Sequence, residues 1–253
     1  MLETRDLTFS YGKKTVLEKV SLSFSPGTLV GIIGPNGCGK TTLLRALVGE
    51  ARPREGACLL DGRPLEEWGR RALARHLSFF PQARPVPDMT VSELMSCGRY
   101  PYSAPLQPLS PADREVIAAA LAETDLAPLA HRNLQTLSGG ERQRAYLALL
   151  LAQQTPVVLL DEPCAHLDLP HQLSLMRRLQ ALRDAGRCVV TVLHELSLAL
   201  DFCDRIVALE GGHVVADAVP AELVKSDTVP MLFGVLPQKI VTPSGTGYLL
   251  LPQ

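Results

Sequence analysis

Gly34, Pro35, Asn36, Gly37, Cys38, Gly39, Lys40 and Thr41 form the pattern GxxxxGK[ST], with Thr42 following. The glycines let the backbone bend so that successive N–H groups face one point, which suits the oxygens of a phosphate chain. A helix starting at this loop adds the positive end of its dipole. Lys40 can reach the β- and γ-phosphates, and the Thr41 hydroxyl can ligate Mg²⁺. A second group of chemically apt residues is Asp161 and Glu162, which end the apolar run Val157–Leu160. Alone they would read as solvated acids capping a strand. With the phosphate loop upstream, Asp161 fits a Walker-B role beside Mg²⁺, and Glu162 fits a general base acting on water. A third candidate, Ser138, Gly139 and Gly140, precedes a strongly apolar helical pattern.

These residues need a particular frame. The sequence predicts strands over Leu2–Phe9, Val16–Phe24, Thr28–Ile33, Ala57–Leu60 and Leu77–Phe80, and a helix over Thr41–Val48. From Thr90 to about Ala152 the pattern is helical, with a Pro-rich break from Pro101 to Pro111. Helices are predicted over Val91–Cys97, Pro111–Glu123 and Gly140–Ala152, with Asp88 or Thr90 capping the first and Ser110 opening the second. Val157–Leu160 and Cys188–Leu193 read as buried parallel strands. Helices follow over Leu173–Ala185 and Leu196–Phe202, and strands over Ile206–Leu209 and His213–Ala216, joined at Gly211 and Gly212. Strands alternating with helices, interrupted by a helical insertion, give an α/β core with a helical subdomain.

The bulk composition narrows the function. With 253 residues, 46% hydrophobic and 20% charged, the chain can build a sizeable core. A net charge of -1 argues against nucleic acid as a partner. Cys38, Cys58, Cys97, Cys164, Cys188 and Cys203 show no metal-ligand spacing and read as reduced thiols. No apolar run approaches the ~20 residues of a membrane helix, so any work at a membrane needs other chains for the span.

The order of phosphate loop, Leu137-Ser138-Gly139-Gly140-Glu141 and Asp161-Glu162 resembles the ATP-binding-cassette (ABC) family, whose signature reads LSGGQ. The resemblance covers essentially the whole chain. It implies a P-loop NTPase (RecA-like) core with an antiparallel β subdomain and an inserted α-helical subdomain. The expected boundaries are 1–86 and 153–217 for the catalytic core, 87–152 for the helical subdomain and 218–253 for a C-terminal extension. It implies ATP and Mg²⁺ as ligands, held between two copies of the chain, so that Ser138, Gly139 and Gly140 touch the nucleotide on the partner's phosphate loop. Four more positions match the family. Tyr11 resembles the aromatic that stacks on adenine, with a turn tyrosine as the competing reading. Gln82 resembles the Q-loop glutamine near Mg²⁺ and water, Asp168 the D-loop acid, and His194 the switch histidine at the γ-phosphate. The sequence departs from the common motifs at Cys38, Glu141, Cys164 and His166. The Cys38 thiol is expected beside the phosphate-binding amides, where thiol reagents would inhibit.

Cys97-Gly98-Arg99-Tyr100-Pro101-Tyr102 and Leu167-Asp168-Leu169-Pro170-His171-Gln172 resemble stretches of importer ATPases for iron–siderophores, haem and cobalamin. That resemblance implies two integral-membrane permease subunits and an extracytoplasmic substrate-binding protein as partners, and a peripheral position on the cytoplasmic face of the cell membrane. A cassette serving another cargo, an exporter subunit, and a soluble ABC ATPase outside transport remain as alternatives. The last of these lacks its usual signs here, namely a coiled-coil insertion, paired cassettes or a basic surface.

Overall fold

Val157–Asp161 and Cys188–Val192 are buried at every position, and Thr28–Ile33 at every position but the first. Strands buried on both faces belong inside a sheet covered on both sides. The structure, a computed structural model, describes residues 1–82, 86–103, 107–165, 167–242 and 245–252. Its elements are β1 (Leu2–Tyr11), β2 (Lys14–Phe24), β3 (Thr28–Ile33), α1 (Lys40–Leu47), β4 (Glu55–Leu60), β5 (Arg63–Pro64), α2 (Arg70–Leu73), β6 (Leu77–Phe80), α3 (Val91–Arg99), α4 (Pro111–Glu123), α5 (Gly139–Gln153), β7 (Val157–Asp161), α6 (Leu169–Asp184), β8 (Cys188–Val192), α7 (Leu196–Phe202), β9 (Arg205–Glu210), β10 (His213–Ala218), α8 (Pro220–Leu223), α9 (Thr228–Phe233), β11 (Val235–Thr242) and β12 (Gly245–Pro252).

The chain divides into two units, one made of Met1–Trp68 with Leu159–Gln253 and the other of Gly69–Val158. The first unit contains a four-stranded antiparallel sheet in the order β2-β1-β4-β5. It also contains strands in the order β10-β9-β3-β8-β7, with β3 parallel to both β8 and β9 and β10 antiparallel to β9. This placement of β3 next to β8 and β9 brings the residues that follow β3 and β8 to one edge of the sheet, where open α/β sheets carry their sites. The tail closes with the antiparallel hairpin β11–β12, registered from Val235 opposite Pro252 to Thr242 opposite Gly245.

The second unit contributes β6, the start of β7 and the helices α2 to α5. Its three longer helices begin alike. Thr90 with Glu93, Ser110 with Asp113 and Ser138 with Glu141 each close a capping box. Each pair satisfies two backbone donors that the helix itself cannot. Of the two caps predicted for α3, Thr90 takes the role, while Asp88 accepts from Asn133 Nδ2 at 2.7 Å. Helix α6 starts at Leu169, four residues before the predicted Leu173, because Asp168 caps it by accepting from the His171 amide and Pro170 preorganises its first turn.

The Gly98–Tyr102 stretch has a clear structural role within this unit. Arg99 is 6% exposed at the end of α3. Its guanidinium donates to Asp113 Oδ1 on α4 at 2.8 Å, to Ala152 O at 2.8 Å and to Gln154 Oε1 at 3.2 Å. It also lies 4.0 Å from the centre of the Tyr102 ring, whose hydroxyl donates to Gln153 O at 2.6 Å. Arg71 and Arg75 donate to the Pro101 carbonyl. One buried cation thus fastens α3, α4 and the C-terminal end of α5 together.

Candidate functional site

The loop after β3 turns on Gly34, whose φ is 147°. A Cβ there would lie 2.1 Å from Leu209 O and 2.8 Å from Cys38 Sγ, so no larger residue fits. Lys40 opens α1, is 5% exposed, and bends back over the loop. Its Nζ donates to Gly34 O at 2.7 Å and Pro35 O at 3.0 Å. The next residue, Thr41, donates from Oγ1 to Asp161 Oδ1 at 3.3 Å. A cavity of about 150 Å³ is lined by Val16, Asn36, Gly37, Gly39, Lys40, Thr41, Thr42 and Glu162.

Asp161 ends β7 and is 1% exposed. Burial raises its pKa above the ordinary carboxylate value, the neighbouring Glu162 charge adds to the rise, and the Thr41 hydrogen bond opposes it. A buried acid bonded to a hydroxyl is an incomplete pair of hard oxygen donors, and Mg²⁺ favours such donors. Glu162 has a φ of 50°, in the left-handed region that non-glycine residues seldom occupy. This turn directs its carboxylate to His194 Nε2, 2.5 Å away, at the end of the segment leaving β8. Left-handed backbone at a non-glycine residue is strain that neighbouring structure must hold.

Of the residues proposed from the sequence, the structure brings Lys40, Thr41, Asp161, Glu162 and His194 together with the phosphate loop in the first unit. Tyr11 is exposed at the β1–β2 turn, with its ring 4.9 Å from the Phe9 ring at 73°. Asp168 is exposed and pairs with the His171 ring as well as capping α6. The hydrogen bond from His171 holds the Asp168 carboxyl below its ordinary pKa. In the second unit, Gln82 is exposed two residues after β6, and Ser138, Gly139 and Gly140 form the exposed start of α5. Glu141, the departure from the common signature, accepts from the Ser138 amide at 2.7 Å and so completes the cap. His166 lies outside the described residues.

The Cys38 thiol lies beside the loop amides of Cys38 and Lys40, as expected, but it is buried there. Its side chain packs against Gly34 and is 4% exposed. Burial raises the thiol pKa, which leaves little of the reactive thiolate. Cys97 is the half-exposed thiol among five buried ones. A limiting amount of maleimide is therefore expected to label Cys97 before Cys38 and to leave ATP turnover intact, as followed by peptide mass spectrometry. Loss of turnover in step with Cys38 labelling would overturn this placement.

Sequence reasoning missed two features of the site. The Glu162–His194 pair joins two motifs that had been assigned separately, and Val16 lines the cavity from a strand read only as structural. The first had a signal, since both residues follow buried parallel strands. The second had none in the local pattern.

The family profile described as ABC transporter matches residues 17–165 of the chain. The hemin import ATP-binding protein of Pseudomonas fluorescens is 41% identical over 241 residues, covering 93% of this chain and 93% of that protein. The petrobactin import ATP-binding protein of Bacillus anthracis is 39% identical over 234 residues, covering 92% of this chain and 86% of that protein. Among solved structures, a dimeric bacterial ABC transporter cassette superposes with a TM-score of 0.77 at 26% identity, covering 87% of this chain and 99% of that one.

Proposed function

The chain belongs to the ABC transporter family as an ATP-binding subunit, and from that premise we propose that it hydrolyses MgATP at the phosphate loop to drive import of an iron–siderophore, haem or cobalamin-type cargo. The observation that carries the site assignment is the convergence of Lys40, Thr41, Asp161 and the Glu162–His194 pair on one loop. The cargo class rests on the relatives named for hemin and petrobactin import and on the Gly98–Tyr102 and Leu167–Gln172 stretches.

Thr41 and Asp161 would hold Mg²⁺, with Gln82 reaching it from the loop after β6, and the ion would neutralise charge on the β- and γ-phosphates. Lys40 exchanges its two carbonyl partners for phosphate oxygens. The loop amides from Gly34 to Thr42 cradle the phosphates, and Tyr11 stacks on the adenine. Glu162 takes the proton of the attacking water, while His194 holds that carboxylate in place and contacts the γ-phosphate. Two copies of the chain enclose each nucleotide, with Ser138, Gly139 and Gly140 of one facing the loop of the other and Asp168 at the junction. Among the described residues no helix is long and apolar enough to cross a membrane. Two permease subunits supply the span, an extracytoplasmic binding protein delivers cargo, and this chain works peripherally at the cytoplasmic face. The catalytic core is assigned to 1–86 and 153–217, the helical subdomain to 87–152, and the extension to 218–253.

The test is uptake of labelled ferric siderophore, haem and cobalamin by cells lacking the gene. One cargo is expected to fail to enter, to be restored by the wild-type gene and not by Lys40→Ala. Normal entry of all three would remove the cargo class. Rescue by Lys40→Ala would remove the role of the phosphate loop.

A further inference from the structure

The carbonyl oxygen of Val16 is enclosed by two glycines from different parts of the chain. A Cβ at Gly39 would lie 2.9 Å from Val16 O and 2.7 Å from Leu17 Cδ2. A Cβ at Gly212 would lie 2.5 Å from Val16 O and 3.0 Å from the Val16 carbonyl carbon. Both glycines have left-handed φ, 110° and 89°. Glu18 N also donates to Gly212 O at 3.0 Å. The segment Val16–Glu18 of β2 is therefore held between the phosphate loop and the turn that joins β9 to β10.

This segment reaches the cavity in two ways. Val16 lines it directly, together with Asn36, Gly37 and Lys40. The β1–β2 ladder pairs Phe9 with Leu17, Ser10 with Thr15 and Tyr11 with Lys14. Whatever fixes Val16–Glu18 thus also fixes the short hairpin that carries the exposed Tyr11 ring. By contrast, the three atoms nearest a Cβ at Gly212 all belong to Val16 and Leu17, and none to Thr41, Asp161, Glu162 or His194.

We propose that Gly212 is a positioning residue for the nucleotide: its bare Cα lets the β9–β10 turn seat Val16–Glu18 against the phosphate loop, and this sets the apolar wall and the Tyr11 ring that receive a purine nucleoside triphosphate. The proposal rests on the assignment of this cavity to ATP. A Cβ at position 212 would lie 2.5 Å from the Val16 carbonyl oxygen, against backbone that cannot rotate aside, so the turn and the Val16–Glu18 segment must part. Capture of the nucleoside suffers and the hydrolytic step does not.

Steady-state ATPase kinetics and binding of a fluorescent ATP analogue test this on the full chain, in wild type, Gly212→Ala, Val16→Ala and Gly62→Ala. Gly62 shares the left-handed conformation, with a φ of 77°, but a Cβ there meets nothing within 4 Å. Gly212→Ala and Val16→Ala are each expected to raise KM for ATP by about tenfold with kcat held within about twofold, a split that general destabilisation does not produce. Gly62→Ala is expected to leave both constants unchanged. An unchanged KM in folded Gly212→Ala overturns the proposal, as does a fall in kcat that matches the rise in KM. Val16→Ala leaves the turn intact, so an unchanged KM there overturns the proposal even if Gly212→Ala does not fold. A wild-type chain that fails to bind the ATP analogue removes the nucleotide assignment itself and the inference with it.

Discussion

Replacing Glu162 with Gln is expected to slow ATP turnover by about 10²–10⁴-fold, the usual worth of a positioned general base. The substitution keeps the shape of the side chain and removes its charge. The amide oxygen can still accept from His194 Nε2, so the 2.5 Å contact survives. Nucleotide binding should hold or tighten. The Glu162 charge is one of the causes that raise the pKa of Asp161. Without it, Asp161 is more readily ionised and better able to hold Mg²⁺ with Thr41. ATP should then be captured and not consumed, and an ATP-bound dimer should accumulate, visible by light scattering at Mg²⁺ and ATP concentrations where the wild type is monomeric. Turnover at the wild-type rate would remove Glu162 from the base role. A variant that loses both turnover and ATP binding would assign Glu162 to the binding of nucleotide.

The second large effect is expected far from the phosphates. Arg99→Ala leaves the Asp113 carboxylate buried without its cation and frees the Ala152 and Gln154 oxygens, and breaking such a pair costs about 3–5 kcal/mol. For a domain of this size that lowers the melting temperature by roughly 6–20 °C. Arg99→Lys should recover little, since one ammonium cannot reach three acceptors and stack on Tyr102 together. The paired change Arg99→Met with Asp113→Leu should recover most of the loss, because it removes both buried charges. The acid limb carries a further mark. The Ser110 hydroxyl and Arg99 hold the Asp113 pKa below its ordinary value. Asp113 therefore contributes stability above the unfolded-state pKa and loses it as pH falls through the lower folded value. The gap between wild type and Arg99→Ala should narrow along that acid limb. Equal melting temperatures at neutral pH would show that the buried cation does not hold these helices together.

The sequence revealed most where chemistry confines its residues to one short run. The phosphate loop and the acids ending β7 could be placed because loop, strand end and adjoining helix are adjacent in the chain. It revealed less where function depends on a contact between distant segments. That Glu162 and His194 both follow buried strands places them at one sheet edge but does not pair them, and nothing near Val16 indicates that a turn at Gly212 will hold it. The burial of the Cys38 thiol was hidden for a related reason. A loop has no periodicity from which to tell which way a side chain points, and packing against Gly34 turned the thiol inward. Helix α6 began early because Asp168 was taken for its place in a motif when it also carries an N-cap. The tail hairpin went unassigned because Tyr248–Leu251 lacks the polar alternation that marks a two-stranded ribbon, although both of its strands form.

The position of Lys40 bears on the kinetics of capture. With 5% of its surface exposed and its ammonium already bonded to two carbonyl oxygens, it is drawn out of bulk water and held against the loop as the chain folds. An arriving phosphate therefore meets a cation already held over the loop and largely shielded from solvent. What remains is a transfer of hydrogen bonds from neutral oxygens to charged ones, which are the stronger acceptors. Such preorganisation shifts control of affinity from arrival to departure, so residence time is where changes around this loop should register.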